Sequence, residues 1–177
     1  MIFGFKSVQQ AAALPFNDED GRLRVLVVSS RRRGRWVIPK GWPRKHESLF
    51  DTAAREAAEE AGVGGVIGQD CIGRYGYEKR MRRGYPVACE TFVFPLLVSH
   101  QDEDWPERKR RRRHWCDLAD AVRLVDDADL ARLLNRHLAE DGTALRALTD
   151  RHGPTNRLTC TQQLNLMHFP TGTQHHE

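Results

Sequence analysis

The 177-residue chain lacks any long apolar run, and it contains few residues that could cross-link it. No apolar stretch approaches the roughly 20 residues that a membrane-spanning helix needs, so we expect neither a membrane span nor a membrane partner. Residues 1–6 do not combine a charged start with a long apolar stretch, so no secretory signal is expected. These absences predict a cytoplasmic protein.

The four cysteines are far apart along the chain, and none belongs to a CxxC pair: Cys71, Cys89, Cys116 and Cys160. Histidines at zinc-finger spacing are missing as well. This pattern argues against a zinc site and against a disulfide framework, so we expect reduced, partly buried thiols. His175 and His176 stand in a polar C-terminal segment, where we expect no metal site.

Charge of one sign is only slightly in excess, with a formal net charge of +4, but the basic residues are unevenly distributed. Three clusters contain half of the lysines and arginines: residues 31–33 with Arg35, residues 79–83, and residues 108–113. Arginine forks match the geometry of phosphate, so the clusters together predict a polyanionic small-molecule substrate. Each cluster alone would also suit a solvated loop or a nucleic-acid patch, and nucleic acid is the less favoured partner.

The most informative feature is a series of acidic residues at fixed offsets after a glycine. The series reads Gly41-x5-Glu47-x7-Arg55-Glu56-Ala57-x-Glu59-Glu60-x-Gly62-Val63. Ser48 is suited to cap a helix here, with Asp51 three residues later, and Gly62 is suited to end it in a left-handed conformation. The alanines at 53, 54, 57, 58 and 61 would give this helix a flat face that packs on a sheet.

Three carboxylates, those of Glu56, Glu59 and Glu60, would project from one side of the helix and repel one another, since they are three and four residues apart. A divalent cation removes the repulsion. Mg²⁺ takes a few carboxylate oxygens and completes its shell with waters and phosphate oxygens. We expect Arg55 to pair with Glu47 and to hold the 41–47 loop over the helix. A solvated acidic face is the alternative for a bare EExxE pattern, and the complete spacing disfavours it.

Hydrophobic periodicity predicts strands near residues 9–14, 23–29, 36–38, 72–77, 87–98 and 113–116. Helical spacing of leucines predicts a closing helix at 127–138, after a shorter segment at 117–122. Mixed strands with one helix between hairpins and another at the end predict an α/β fold, an α/β/α sandwich with a mixed sheet. We expect one domain over residues 1–140 and a poorly defined C-terminal tail over 141–177, with Leu145 and Leu148 hinting at another helical turn.

The acidic series is the Nudix box, and the chain resembles the Nudix hydrolase superfamily. Flanking segments make it similar to the branch of diphosphoinositol polyphosphate phosphohydrolases and diadenosine polyphosphate hydrolases: residues 28–31 leading to 35–39, residues 103–105, and the basic run that passes through Trp115 into residues 117–121. The likeness runs from about residue 10 to about residue 138. It implies the Nudix fold and Mg²⁺-dependent hydrolysis of a phosphoanhydride bond in diphosphoinositol polyphosphates, diadenosine polyphosphates or both, with Mn²⁺ as a substitute metal.

The resemblance implies catalytic roles for five residues of the box, namely Glu59, Glu56, Glu60, Arg55 and Glu47. It implies a metal site made by Glu56, Glu60, Glu59, the backbone carbonyl of Lys40, and Gly41. Glu56 and Glu60 would ligate the metal and Glu59 would orient or deprotonate the attacking water. Branches of the family exchange the last two roles, so the division between Glu59 and Glu60 stays open.

The resemblance also implies contacts to substrate phosphates from Ser29, Ser30, Arg31, Arg35, Lys79, Arg80 and Arg112. The chain departs from the eukaryotic members of the branch just before the first strand. Those members have a basic triplet where this chain has Val8, Gln9 and Gln10. We therefore expect weaker recognition of the most highly phosphorylated inositols, unless additional arginines at 32, 33, 110 and 111 compensate.

Two other functions remain open from the sequence. One is a nucleoside di- or triphosphate or RNA 5′ pyrophosphohydrolase. No aromatic pair is clearly placed to sandwich a base; Trp42, Tyr75, Tyr77 or Trp105 could stack on one, but core or loop packing is the commoner role of such residues, which weakens a claim of base specificity. The other is a non-catalytic regulatory module that binds a phosphorylated ligand or nucleic acid, which the intact box disfavours. The sequence is compatible with a monomer and with a homodimer.

Overall fold

The computed structural model of the protein describes residues 8–80 and 86–152, without the side chains of residues 79, 80 and 86. Within these residues one sheet is formed by β1 (Val8–Glu19), β2 (Arg22–Ser29), β3 (Trp36–Val37), β4 (Lys40–Gly41), β5 (Val63–Ile67), β6 (Gly73–Arg80), β7 (Pro86–Gln101) and β8 (Arg113–Asp117). The helices are α1 (Leu49–Ala61), α2 (Leu118–Leu124), α3 (Ala128–Ala139) and α4 (Thr143–His152), with a 3-10 turn at Arg108–Arg110. The predicted α/β fold with a mixed sheet is confirmed.

The strand β1 lies at the centre of the sheet and makes both kinds of pairing. It is antiparallel to β2 and β4 and parallel to β7 along Val8–Phe16. The long β7 pairs with β6 along its first half and with β5 along its second half. Hydrophobic periodicity predicted the central strands but not the short β4 and β5, and both β1 and β7 extend further than predicted.

Helix α1 covers one face of the sheet through its alanines. Ala53, Ala57 and Ala61 are fully buried, and they pack with residues of β1 and β2 such as Leu26. The flat face is narrower than predicted, since Ala54 is half-buried and Ala58 is exposed. Alanine side chains allow the helix backbone to approach the sheet closely, which brings the acidic side of α1 to the end of β4.

The opposite face of the sheet is covered by α2, α3 and α4, which share one apolar core. Leu145 and Leu148 of α4 are buried in it beside residues of α3 such as Leu134. Arg146 also pairs with Asp18 of β1 at 2.9 Å. The first residues of the predicted tail thus form a packed helix, while the domain boundary at 140 remains a prediction and residues 153–177 lie outside the described part.

The cysteines of the described part carry free thiols, with Cys71 exposed and Cys89 and Cys116 buried. The remaining cysteine, Cys160, and the histidines at 175 and 176 lie beyond residue 152. No helix within the described ranges is long and apolar enough to cross a membrane.

Candidate active site

Both ends of α1 are capped as the sequence predicts, and the caps fix where its carboxylates project. Ser48 Oγ accepts a hydrogen bond from the Asp51 N–H at 3.1 Å and donates to the Asp51 carboxylate at 2.6 Å. Gly62 ends the helix with φ of 60°, and its N–H donates to the Ala58 carbonyl at 3.0 Å. A side-chain cap and a left-handed glycine satisfy backbone groups that a helix end leaves unpaired.

Arg55 ties the loop before α1 to the helix, as predicted. Its guanidinium donates to both carboxylate oxygens of Glu47, at 2.8 and 3.1 Å, and to the Trp42 carbonyl at 3.1 Å. Glu47 accepts further bonds from the Arg44 N–H and from the Thr52 hydroxyl. The Arg55 guanidinium is the main reason that the pKa of Glu47 falls to about 2. This bidentate pair holds the loop and the helix as one unit.

Glu56 lies directly against the backbone of the loop. Its carboxylate accepts a hydrogen bond from Arg55 at 2.6 Å. A Cβ at Gly41 would overlap the Glu56 carboxylate, so the glycine provides the space for this close approach. A glycine is therefore required at position 41 because a side chain would not fit. Its backbone conformation does not require glycine, since the φ of Gly41 does not lie in the left-handed region.

Glu60 is the most buried of the three carboxylates. The Lys40 N–H donates to its Oε2 at 3.2 Å, and the Arg111 guanidinium donates to its Oε1. Burial raises the pKa of Glu60 to about 7, whereas the positive charges of Arg111 and Lys40 act in the opposite direction. The charge of Glu60 at neutral pH therefore depends on the cations that surround it.

Glu59 is the most accessible carboxylate of the helix. Its side chain is 37% exposed, compared with 12% for Glu56 and 8% for Glu60. Arg44 reaches it at 2.9 Å and Arg55 at 3.3 Å. Of the three, Glu59 is thus the one that a solvent water reaches most easily.

These side chains line a cavity of about 470 Å³, which we call the catalytic cavity. Its lining includes eight residues predicted as catalytic, metal-binding or phosphate-binding: Ser30, Arg31, Lys40, Gly41, Arg55, Glu56, Glu59 and Glu60. Glu47 does not line the cavity. It accepts a hydrogen bond from Arg55, which does line it.

Three other predicted phosphate contacts lie outside the lining of the catalytic cavity. The buried Ser29 hydroxyl accepts a hydrogen bond from the Arg112 N–H at 2.9 Å. The Arg112 guanidinium lies over the Trp36 ring, 5.4 Å from its centroid. The exposed Arg35 contributes its N–H to the Ser30 hydroxyl. The side chains of Lys79 and Arg80 fall outside the described residues.

Other residues of the cavity were absent from the predicted site, and Arg111 is the most prominent. It is buried, and it donates to Glu60, to Glu107 and to the Ser29 carbonyl. Glu107 in turn pairs with Arg31 at 3.2 Å. The side chains of neighbouring residues in an extended segment point to opposite sides. A prediction that is wrong by one residue therefore selects Arg112 in place of Arg111, and this alternation could have suggested Arg111.

Gln10, Val37, Trp42, Arg44 and Tyr77 complete the lining. The Tyr77 hydroxyl donates to the Gln10 amide oxygen, and the Lys40 ammonium lies 5.5 Å from the centroid of the Tyr77 ring. Of the four aromatic residues proposed to stack on a base, Trp42 and Tyr77 reach this cavity, whereas Tyr75 is buried and Trp105 packs on Gly62. Gln10 reaches the site because β1 pairs with strands that are distant in the sequence. No local sequence pattern therefore identifies Gln10 as a site residue.

The donor chemistry of the cavity fits a hard divalent ion, because three carboxylates supply only oxygen ligands. The described residues include no preassembled group of three His, Cys, Asp or Glu side chains that could hold a metal. Arginines neutralise the carboxylates instead: Arg55 at Glu56, Arg44 at Glu59 and Arg111 at Glu60. A metal would therefore bind in exchange for some of these ion pairs.

Comparisons with known proteins identify the family of the chain. The NUDIX domain family model matches residues 7–137. Nudix hydrolase 12, mitochondrial, of Arabidopsis thaliana is 32% identical over 149 residues, which cover 81% of this chain and 73% of that protein. Diphosphoinositol polyphosphate phosphohydrolase 2 of Rattus norvegicus is 35% identical over 124 residues, which cover 69% and 64%. The matches to Arabidopsis Nudix hydrolases 21 and 4 span only about half of those proteins, 53% and 46%.

Solved structures share the fold. A binary complex of C. elegans Ap4A hydrolase superposes with a TM-score of 0.57 at 24% identity, over 75% of this chain and 96% of that one. The NUDIX domain of Shewanella oneidensis NrtR, complexed with ADP ribose, superposes with a TM-score of 0.54 at 25% identity, over 75% and 88%. Together with the box and its cavity, these matches confirm the resemblance that the sequence indicated, and the chain belongs to the Nudix family.

Proposed function

We propose that this chain is a Mg²⁺-dependent pyrophosphohydrolase that cleaves a phosphoanhydride bond in diphosphoinositol polyphosphates, diadenosine polyphosphates or both. The supporting observation is that carboxylates and arginines converge in one cavity. Glu56, Glu59 and Glu60 come from one helix, while Arg31, Arg44 and Arg111 come from separate segments. Oxygen ligands for a cation beside guanidinium groups that match phosphate oxygens are what hydrolysis of a phosphate chain requires.

Members of the Nudix family generally use divalent metal ions. When bound, such an ion supplies charge that neutralises phosphate oxygens and lowers the pKa of a nearby water. We propose Mg²⁺ as the ion, held by Glu56 and Glu60 with the backbone of Lys40 and Gly41, and Mn²⁺ as a substitute. Glu56 is already fixed against Gly41, and Glu60 against the Lys40 N–H.

Glu59 is proposed to orient and deprotonate the attacking water. Its greater exposure supports this assignment, because a base must reach the water that it activates. Arg44 pairs with Glu59 on its exposed side. When the phosphate chain of a substrate enters the cavity, Arg44 is well placed to leave Glu59 and bind a phosphate. Glu59 remains a further candidate metal ligand.

Positioning of the phosphates is proposed for three sets of residues. Ser30, Arg31 and Arg111 line the cavity and would contact phosphate oxygens directly. Ser29 and Arg112 would act through the backbone, since their hydrogen bond joins the end of β2 to the segment before β8. Arg35, Lys79 and Arg80 remain proposed contacts for phosphates that extend beyond the cavity.

The experiment that tests this function measures product release with Mg²⁺ from a panel of polyphosphates. The panel contains a diphosphoinositol polyphosphate, diadenosine penta- and hexaphosphate, nucleoside triphosphates, 5′-triphosphate RNA and ADP-ribose. Activity on the first two groups, lost in Glu59→Gln and Glu60→Gln, is the expected result. Activity only on single nucleotides or RNA ends would instead support the alternative function, a nucleoside di- or triphosphate or RNA 5′ pyrophosphohydrolase.

A non-catalytic binding module is the competing function of another class. The NUDIX domain of NrtR, to which this chain is similar, was solved in complex with ADP ribose, and this is the reason to test for ligand binding without hydrolysis. Tight binding of a panel compound without turnover would establish it.

Cytoplasmic localisation remains a prediction, and the names of several relatives describe mitochondrial or chloroplastic proteins. Monomer and homodimer both remain compatible with the proposal.

A further inference from the structure

Glu107 differs in origin from the other carboxylates that line the catalytic cavity, because it does not belong to α1. It lies in the segment between β7 and β8. Its N–H donates to the Glu59 carbonyl at 3.2 Å, and its own carbonyl accepts from the Arg110 N–H at 2.8 Å. The backbone of Glu107 is thus held beside the last turn of α1, while its side chain is 18% exposed.

The Glu107 carboxylate binds two arginines from distant parts of the chain. One carboxylate oxygen lies 3.2 Å from Nη1 of Arg31, in the loop after β2, and the other accepts a hydrogen bond from Nε of Arg111. Both arginines are proposed to contact substrate phosphates. Guanidinium groups bind carboxylate and phosphate with the same fork geometry. Glu107 therefore occupies the place between these arginines that a phosphate would take.

Arg111 already donates from each of its three side-chain nitrogens. The acceptors are Glu107, the Ser29 carbonyl and Glu60. In a side chain that is only 6% exposed, a phosphate has to replace one of these acceptors. The Ser29 carbonyl is fixed in β2, and Glu60 is the proposed metal ligand. Glu107 is thus the acceptor that is most easily exchanged for a phosphate.

This exchange has a cost that depends little on the ligand. The Glu107 carboxylate loses two charge-assisted hydrogen bonds in a mostly buried place, which is unfavourable for a charged group. A single phosphate makes few contacts to offset the cost, whereas a chain of phosphates can bind Arg31, Arg44 and Arg111 at the same time. A long chain therefore stays bound at concentrations at which a single phosphate does not.

We infer that Glu107 is a specificity-determining residue, which competes with substrate phosphates for Arg31 and Arg111 and thereby excludes single phosphates from the catalytic cavity. This inference rests on the proposed function, in which polyphosphates are the substrates. Orthophosphate released from a substrate would not remain bound between turnovers. A residue that only positioned the two arginines would have the opposite effect, because its loss would weaken phosphate binding.

The test removes the charge of Glu107 and measures binding of two inorganic probes. Calorimetric titration in EDTA gives the Kd of orthophosphate and of linear pentaphosphate. In Glu107→Gln we expect both Kd values to fall about tenfold, as they should if Glu107 releases the arginines in about a tenth of the wild-type molecules. The Ki of orthophosphate in steady-state hydrolysis with Mg²⁺ should fall by the same factor.

Two control variants accompany Glu107→Gln. Glu107→Asp retains the charge, so its Kd values should stay within about threefold of the wild-type values. Glu103→Gln removes one negative charge at an exposed position of the same segment and should leave both Kd values unchanged.

A double-mutant cycle with Arg31→Gln separates competition from a general effect of charge. If Glu107 competes for Arg31, the gain in orthophosphate affinity should shrink from about tenfold to about threefold when Arg31 is absent. A gain that stays the same in the Arg31→Gln background would overturn the inference, because Glu107 would then repel phosphate without holding the arginine.

Binding in EDTA also separates this inference from the proposed function. Tighter binding of both probes by Glu107→Gln supports the inference even if no polyphosphate is hydrolysed. Unchanged or weaker binding of orthophosphate overturns it, and hydrolysis of the polyphosphates would leave the proposed function standing. Failure of both proteins to bind either probe overturns it as well. If the melting temperature shows that Glu107→Gln is misfolded, Glu107→Ser is judged by the same outcomes.

Discussion

Exposure distinguishes the three carboxylates of α1 more clearly than their positions in the box do. Glu59 reaches solvent, whereas Glu56 and Glu60 are held against the backbone of residues 40 and 41. A base must contact a water, and a metal ligand must be rigidly held. These differences support the proposed division of roles, which helix spacing alone left open.

Glu59→Gln is expected to lower kcat by about 10²- to 10⁴-fold, the usual contribution of a general base. Metal affinity, measured by Mn²⁺ titration, should change little, while Glu60→Gln should weaken it, because a neutral amide is a poorer ligand for a hard cation. Glu103→Gln, at an exposed position outside the catalytic cavity, is the control. If Glu59→Gln weakens metal binding and Glu60→Gln does not, the two roles are exchanged.

At the scale of elements, the C-terminal end of α1 is held by the segment that leads into β8. Arg113 donates to the Ala61 carbonyl at 3.0 Å and lies over the Trp105 ring at 3.9 Å. Trp105 in turn packs on Gly62. These contacts connect the helix that carries the carboxylates to the segment that carries Arg111, so a change at Gly62 should disturb both.

Gly62→Ala and Gly34→Ala form a matched pair that separates backbone strain from packing. Both glycines have positive φ, 60° and 65°, so each alanine should lower the free energy of unfolding by about 1–2 kcal/mol. A Cβ at Gly62 would also lie 2.8 Å from Trp105 Cγ, whereas a Cβ at Gly34 has nothing within 4 Å. Overpacking should add about 1–3 kcal/mol at Gly62 alone. Urea denaturation measures both, and equal losses would contradict the packing of Trp105.

At the scale of the whole molecule, α4 links the end of the described chain to the centre of the sheet. Leu145→Ala should lower the free energy of unfolding by about 2–5 kcal/mol, because it empties a fully buried site. Leu138→Ala, at a position that is 40% exposed, should lower it by less than about 1 kcal/mol. Chemical denaturation compares the two. Similar small losses would place the end of the stable domain before α4, near residue 140.

The same core contains a histidine whose protonation should set the acid sensitivity of the fold. His137 is buried, and its Nε2 lies 3.1 Å from the Ile72 carbonyl oxygen, which can only accept a hydrogen bond. Burial is the main reason that the pKa of His137 is lowered, and Arg136 adds to the effect while Glu140 opposes it. Its contribution to stability is therefore complete above the ordinary value of about 6.5 and is lost as the pH falls through the lowered value.

His137→Gln should flatten this part of the stability profile, since glutamine retains a donor for Ile72 but does not titrate. The free energy of unfolding is measured between pH 7.5 and pH 5 in both proteins. A wild-type profile that runs parallel to that of the variant would show that His137 does not titrate in this range on unfolding.

Local features of the site were predictable because they depend on contacts within one helix and the loop before it. Ser48 and Gly62 cap α1 at the predicted residues, and Arg55 pairs with Glu47 as expected. Periodicity also indicated the central strands and α3. It did not indicate β4 and β5, because β4 is Lys-Gly and β5 contains two adjacent glycines, and glycine is depleted in strands.

The sequence by itself determined the family, the acidic helix and the arginines available for phosphates, because spacing along a helix is set by its 3.6-residue turn. Only the tertiary structure decided which arginine enters the cavity. Arg111 meets Glu60 across 51 positions of the chain, and Gln10 meets Tyr77 across 67. Such contacts follow from the pairing of β1 with β7 and of β2 with β8, and strand pairing between distant segments leaves no local pattern to read.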